Sequence, residues 1–285
     1  MNATEILEQI RLVGLVPVIA IESADDAEPL ARALIEGGLP CAEVTFRTAA
    51  AQESIRRIAR SSPEMLLGAG TVLTVDQVKA AVDCGARYIV SPGLNPKVVE
   101  YCTGKGIAIT PGVSSPTDVE AALGLGLDVV KFFPAEPAGG LPFLKALAGP
   151  YGKVRYIPTG GIDESNLLSY LKFPKVFACG GSWMVNQELI SQKQFEKIRD
   201  LTSRAVQLML GFSLPVKGEG GAVRVGSEWV VAGGGKQPAI GIGSHFPDRA
   251  AAHFQRLGYA VGIEKEGIRS VDLKIPGIEF RLTQK

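Results

Sequence analysis

The amino-acid sequence predicts an α/β protein: a (β/α)8 TIM barrel over residues 1–211, followed by a small α+β domain over residues 212–285. Three observations predict it. Eight short apolar runs alternate with amphipathic helical patterns, which is the pattern of repeated βα units in a parallel sheet. The first run is followed by Glu22-Ser23 and not by a G-x-G-x-x-G cradle, which argues against an open dinucleotide-binding sheet. Polar and glycine residues collect where the runs end, the rim on which such barrels build their sites.

Taken in order, an opening amphipathic helix at 3–13 precedes strands at 16–21, 41–46, 66–72, 88–91, 108–110, 129–133, 155–158 and 176–179. Helices are expected at 24–36, 50–61, 74–84, 96–104, 116–125, 141–148, 164–171 and 192–210, where apolar residues recur near i, i+3, i+4. Ser23, Thr74, Ser115 and Asp163 supply cap signals at helix starts. Residues 211–221 hold Pro, Lys, Glu and glycines, a linker signal. Beyond them short strands are expected at 222–225, 228–231, 239–242, 259–263, 270–275 and 278–282, with one helix at 247–257.

Composition narrows the function classes. Apolar residues make up 46%, enough for a sizeable core, and 30 basic against 29 acidic residues leave a formal charge of +1. The charges are interspersed, so the basic stripe needed by nucleic acid or an anionic membrane is missing. No apolar stretch reaches a membrane span, and Glu5 and Glu8 arrive too early for a signal segment, so a cytoplasmic protein is expected. Cys41, Cys84, Cys102 and Cys179 are widely separated with no C-x-x-C pair and read as reduced thiols. Both histidines, His245 and His253, lie near the carboxyl end, which excludes a histidine-dependent triad or zinc site from the larger part of the chain.

Lys131 is the residue that most needs explaining, because it sits inside the apolar run Asp128-Val129-Val130-Lys131-Phe132-Phe133-Pro134. An ammonium in a buried strand is solvated, paired or used; a desolvated amine can attack a carbonyl. Glu43 stands in a second apolar strand, on the same face as Thr45, and serves either as an ion-pair partner for Arg47 or Lys131 or as a proton carrier. Arg47, just past that strand, suits a bidentate carboxylate clamp. Thr159-Gly160-Gly161 and Gly180-Gly181-Ser182 follow the seventh and eighth strands, where unblocked amides can take a phosphate, the first with a helix behind it.

These residues combine into six ordered motifs: Glu43-Val44-Thr45-Phe46-Arg47-Thr48, Gly68-Ala69-Gly70-Thr71-Val72-Leu73, Ser91-Pro92-Gly93-Leu94, Lys131-Phe132-Phe133-Pro134-Ala135-Glu136, Pro158-Thr159-Gly160-Gly161-Ile162 and Gly180-Gly181-Ser182-Trp183. Over about residues 5–210 the set closely resembles the 2-keto-3-deoxy-6-phosphogluconate and 4-hydroxy-2-oxoglutarate aldolases, class I lyases. The resemblance implies that Lys131 forms a Schiff base and Glu43 moves protons, with Arg47 and Thr71 on the pyruvate carboxylate. It further implies that Pro92 and Phe133 line the pocket and that Thr159, Gly160, Gly161, Gly181 and Ser182 hold the substrate's phosphate. It implies a small-molecule 2-oxo acid substrate, no cofactor, no metal and a homotrimer. A phosphate-binding barrel epimerase, with Lys131 and Glu43 as acid and base, and a non-catalytic sugar-acid sensor are the competing readings.

At the carboxyl end, segments 237–243, 247–259 and 277–282 loosely resemble one βαβββ unit of the glyoxalase/vicinal-oxygen-chelate type. Such units supply a metal ligand from the first strand and a glutamate from the last. Here those positions are Pro238 and Glu279, so a metal site is not expected, and His245 and His253 read as surface or loop residues. An accessory role is expected: oligomer contacts, cover for the barrel or effector binding.

Overall fold

Runs of Val, Ile, Leu and Ala with no polar face form short parallel strands, since both faces of such a sheet are covered. The computed structural model describes residues 1–211, 222–225, 229–232, 239–263, 269–272 and 279–284. Its strands are β1 (Leu15–Ile19), β2 (Cys41–Thr45), β3 (Leu66–Gly70), β4 (Tyr88–Val90), β5 (Ala108–Thr110), β6 (Gly112–Val113), β7 (Val129–Phe132), β8 (Arg155–Pro158) and β9 (Cys179–Gly181). The helices around them are α1 (Ala3–Val13), α2 (Ala27–Glu36), α3 (Ala51–Ser61), α4 (Val75–Asp83), α5 (Pro96–Gly104), α6 (Pro116–Gly124), α7 (Gly140–Ala148), α8 (Leu167–Leu171), α9 (Gln187–Ser191) and α10 (Phe195–Leu210).

One parallel sheet runs β5-β4-β3-β2-β1-β9 and a second runs β6-β7-β8. Pro111 stands where the fifth strand changes partners, pairing with β4 before it and β7 after it. Proline cannot donate to a ladder, so a break falls there, yet its carbonyl still accepts from the Lys131 amide at 2.9 Å. Bridges at Tyr156↔Val176 and Thr159↔Gly180 tie β8 to the chain entering β9. The result is an α/β fold with a curled parallel sheet.

Cap chemistry explains most boundaries. Asn2, Thr74 and Ser115 each form a reciprocal capping box at the starts of α1, α4 and α6, and Asn95 caps α5 with Pro96 in its first turn. Three expected helices come out shorter. Ser23 caps only a 3-10 turn, Ala24–Asp26, before α2 begins. The Asp163 carboxylate is taken by the Ser165 amide at 2.8 Å, and the Asn166 side chain by the Asp163 amide at 3.0 Å, so these residues form a turn and α8 starts only at Leu167. Lys193, at φ 56°, ends one helical stretch and separates α9 from α10. The four cysteines are buried and form no disulfide. No helix among the described residues is long and apolar enough to cross a membrane.

The chain divides into two compact units, Met1–Val206 and Gln207–Lys285. In the second, β10 (Ala222–Val225) pairs antiparallel with β11 (Trp229–Ala232). Then β12 (Ala239–Ser244), α11 (Pro247–Arg256), β13 (Ala260–Ile263), β14 (Arg269–Asp272) and β15 (Glu279–Gln284) make a sheet in the order β12-β15-β14-β13. Ile242, Val271 and Leu282 bury one side of it, together with Ala250 and Ala251 of α11. Ala239 lies opposite Glu279 in the parallel β12–β15 pair. Pro238, residues 228, 273–275 and 278 of the expected strands and all of the expected linker except Gly211 lie outside the described residues.

Half-buried His253 on α11 makes this unit acid-sensitive. Burial, with Arg256 adding to it, pushes the imidazole down from 6.5 to about 4. Above pH 6.5 both folded and unfolded chains are neutral there; between about 6.5 and 4 only the unfolded chain takes up the proton, so stability falls as pH falls. The loss is at most about 1.4 kcal/mol per pH unit within that window. Urea unfolding at pH 7.5 and 5.0 should show it, and His253→Gln should remove that part of the pH dependence; an unchanged dependence in the variant contradicts the assignment.

Candidate active site

Strand alternation in β7 sends Val130 and Phe132 to the helix-facing side, where both are fully buried and Phe132 stacks on Phe143 of α7 with centroids 6.0 Å apart. That anchorage turns Lys131 to the opposite face, inside the curl of the sheet. Its side chain is buried, with the residue 4% exposed, and its Nζ lies 3.3 Å from Oε1 of Glu43, also 4% exposed. The Phe133 ring stands 5.1 Å from the same ammonium. Of the two ion-pair partners the sequence offers Glu43, the structure selects Lys131.

Glu43 and Thr45 share the inner face of β2, as alternation requires, and Thr45 Oγ1 donates to the Ile19 carbonyl at 2.9 Å. Below Glu43 lies Tyr88, whose hydroxyl donates to the Ala42 carbonyl at 3.0 Å. Burial pushes that phenol well above its ordinary range, with the Cys41 thiol and the Glu43 carboxylate adding to the effect, so it stays a neutral donor. Arg47 is exposed at the end of β2 and its Nε donates to Thr71 Oγ1 at 3.1 Å. Thr71 holds φ at 56°, a left-handed conformation that a β-branched residue adopts only under constraint.

A cavity of about 270 Å³ opens beside these groups. Of the residues singled out by sequence, Arg47, Phe133, Thr159, Gly160, Gly161, Gly181 and Ser182 line it. Lys131, Glu43 and Thr71 lie outside that lining; Thr45 on the strand of Glu43 and Phe133 just past Lys131 mark where the pair approaches it. Pro92 is not brought into the cavity: its carbonyl packs against Gly112, where a Cβ would come within 2.0 Å. Sequence reasoning missed the apolar lining, Val18, Ile19, Ile162 and Val185, because nothing distinguishes such residues from ordinary core.

The polar end of the cavity is backbone. Gly160 at φ 100° and Gly161 at φ 80° turn the chain, and no backbone carbonyl among the described residues takes the amides of Gly161, Ile162 or Ser182. The expected helix behind this loop is reduced to the five residues of α8, starting six residues after Gly161, so exposed amides and not a helix terminus make the cradle. Glu136 fixes the loop from beneath: its amide donates to the Gly160 carbonyl at 3.0 Å, its side chain packs under Gly161 and its carboxylate accepts from the Tyr170 hydroxyl.

A buried amine paired with a carboxylate, beside a cavity that ends in open amides, is equipment for carbonyl chemistry on an anionic substrate. The chain belongs to the KDPG and KHG aldolase family, whose model matches residues 6–201. It is 50% identical over 204 residues to the 2-dehydro-3-deoxy-phosphogluconate aldolase of Treponema pallidum, covering 72% of this chain and 97% of that one. It is 39% identical over 193 residues to the KHG/KDPG aldolase of Escherichia coli, covering 68% and 91%. Among solved structures it matches a Legionella pneumophila KDPG aldolase holding pyruvate as a covalent carbinolamine, at TM-score 0.68 and 37% identity over 72% of this chain and 98% of that one. The protein is accordingly a lyase. The family match ends before the second compact unit begins.

Burying two opposite charges costs desolvation that their attraction only partly offsets. Lys131→Met or Glu43→Leu alone strands the other charge and should lower stability by about 3–5 kcal/mol. The double variant should be more stable than either single one in thermal unfolding. If the double variant is the least stable of the three, the pair is not the strained element this geometry describes.

Proposed function

We propose that this enzyme cleaves 2-keto-3-deoxy-6-phosphogluconate to pyruvate and glyceraldehyde 3-phosphate, and 4-hydroxy-2-oxoglutarate to pyruvate and glyoxylate, through a Schiff base on Lys131. The observation that carries the proposal is the buried Lys131 Nζ held 3.3 Å from a buried carboxylate beside the amide-ended cavity. The amine adds to the C2 ketone, and loss of water from the carbinolamine leaves an iminium. Glu43 removes the C4 hydroxyl proton, the C3–C4 bond breaks and its electron pair flows into the iminium, releasing the aldehyde. The resulting enamine is protonated at C3, and hydrolysis frees pyruvate and the amine. Because the iminium is itself the electron sink, the reaction needs no metal.

Arg47, held by Thr71, takes the carboxylate of the 2-oxo acid, and Phe133 shapes the apolar side. Thr159, Gly160, Gly161, Gly181 and Ser182 take the distal phosphate, or the distal carboxylate of the shorter substrate. The pairings β6-β7-β8 and the bridges to β9 favour a closed eight-stranded barrel. In this reading the enzyme is a cytoplasmic homotrimer, residues 1–211 form the barrel, and residues 212–285 form an accessory module. The order β12-α11-β13-β14-β15 supports likeness of that module to half of a glyoxalase-type unit.

Incubation with pyruvate and borohydride, followed by peptide mass mapping, should place a reduced adduct on Lys131 and none on Lys131→Met. An epimerase or a silent sensor gives no adduct at all, and an adduct on another lysine refutes the assignment. Ser182→Ala should raise KM for the phosphorylated substrate about tenfold, the worth of one hydrogen bond to a charged group, and change KM for 4-hydroxy-2-oxoglutarate less. Equal losses with both substrates would remove Ser182 from the phosphate subsite.

A further inference from the structure

We infer that Gly70 is a positioning residue, the seat on which the Glu43 carboxylate is laid. The inference rests on the reading of Glu43 as proton carrier and adds what aims it. In the β2–β3 ladder Glu43 is in register with Gly68 and Thr45 with Gly70. The Glu43 side chain therefore leans forward past its own neighbour and lies over the next inward-facing position of β3. A Cβ at residue 70 would stand 2.1 Å from Glu43 Oε1 and 2.7 Å from both Cδ and Cγ, far inside van der Waals contact. The oxygen resting there is the one that reaches Lys131 Nζ at 3.3 Å.

Gly68, two residues earlier on the same face, is bare for a different reason. There a Cβ would meet the fully buried Tyr88 ring at 2.2 Å, a rigid group held by its hydrogen bond to Ala42. Tyr88 cannot step aside, whereas the end of a glutamate can rotate about three bonds. A methyl group at residue 70 thus moves the carboxylate away from Lys131 and leaves the sheet in place, since Ala69 and its neighbours keep their ladder. The geometry separates two effects of an added methyl on one strand: at residue 68 it disturbs the fold, at residue 70 it disturbs the chemistry.

The test is Gly70→Ala, made in the full-length enzyme and in a Glu43→Ala background. Gly70→Ala should keep its circular dichroism and still give the borohydride adduct with pyruvate at end-point. Its kcat for aldol cleavage should fall about a hundredfold, the scale of a misplaced general acid–base group, with KM changed by less than about threefold. Exchange of the pyruvate methyl protons with D2O, which draws on the same carboxylate, should fall along with kcat, while the retained circular dichroism and end-point adduct exclude loss of folded enzyme as the cause. In the Glu43→Ala background the same methyl has nothing to displace and should cost no further activity.

A kcat within about threefold of the parent, or an equal loss in both backgrounds, overturns the inference. Should Gly70→Ala fail to fold, the double variant decides: a folded Glu43→Ala/Gly70→Ala assigns the clash to the carboxylate, and an unfolded one refutes the seat. If Glu43→Ala itself keeps full cleavage activity, the proton-carrier reading fails first; if it is inactive while Gly70→Ala is fully active, only the seat fails.

Discussion

Two opposite charges held 3.3 Å apart in the interior of a curled apolar sheet set the terms for the rest of this molecule. Taking an ammonium and a carboxylate out of water costs several kcal/mol per ion, and a hydrophobic pair of similar volume often does as well or better for stability. The two residues are 88 positions apart in the chain, so only the curl of the sheet brings them together. Everything nearby either makes room for the pair or fixes its two strands. Phe132 and Phe143 pin β7 from outside, Tyr88 supports β2 from below, and the Pro111 carbonyl takes the Lys131 amide.

The room is made with glycine, and glycine inside a strand weakens it by about 0.5–1 kcal/mol. β3 carries two such residues, facing an aromatic ring at Gly68 and the carboxylate at Gly70. The other end of the cavity repeats the pattern. Gly180 leaves space for Thr159, Gly181 for the Trp183 ring and Gly161 for Glu136. The rim is thus a set of close approaches between side chains and bare backbone, and amides left open at Gly161 and Ser182 follow from the same absence of side chains.

Much of this was legible in the sequence because burial leaves a strong pattern. A lysine within Val-Val-Lys-Phe-Phe and a glutamate within Cys-Ala-Glu-Val-Thr are anomalies that apolar periodicity exposes, and strand alternation correctly put Glu43 with Thr45. What was illegible depends on competition between local and tertiary hydrogen bonds. Asp163 reads as a helix cap, but its carboxylate is satisfied by Ser165 in a turn, and the helix retreats to Leu167. Lys193 carries no breaker signal, yet its left-handed backbone delays the start of the last helix from the expected residue 192 to Phe195. The strand break at Pro111 was half legible: proline predicts a lost donor but not that the chain changes partners there.

The two glycines of Gly68-Ala69-Gly70 show why a site is harder to read than a fold. In sequence they are alike, two glycines within the strand expected at 66–72. In the structure they belong to a continuous strand whose partners Cys41, Ala42, Glu43, Val44 and Thr45 run alongside without interruption. Their roles differ only by what stands opposite: a ring that cannot move in one case and a rotatable carboxylate in the other. Stability therefore constrains residue 68, and chemistry constrains residue 70. A fold that must keep a costly ion pair dry and aimed gains more from emptying a strand than from filling it, because an added methyl would buttress β3 while turning the Glu43 carboxylate away from the Lys131 amine.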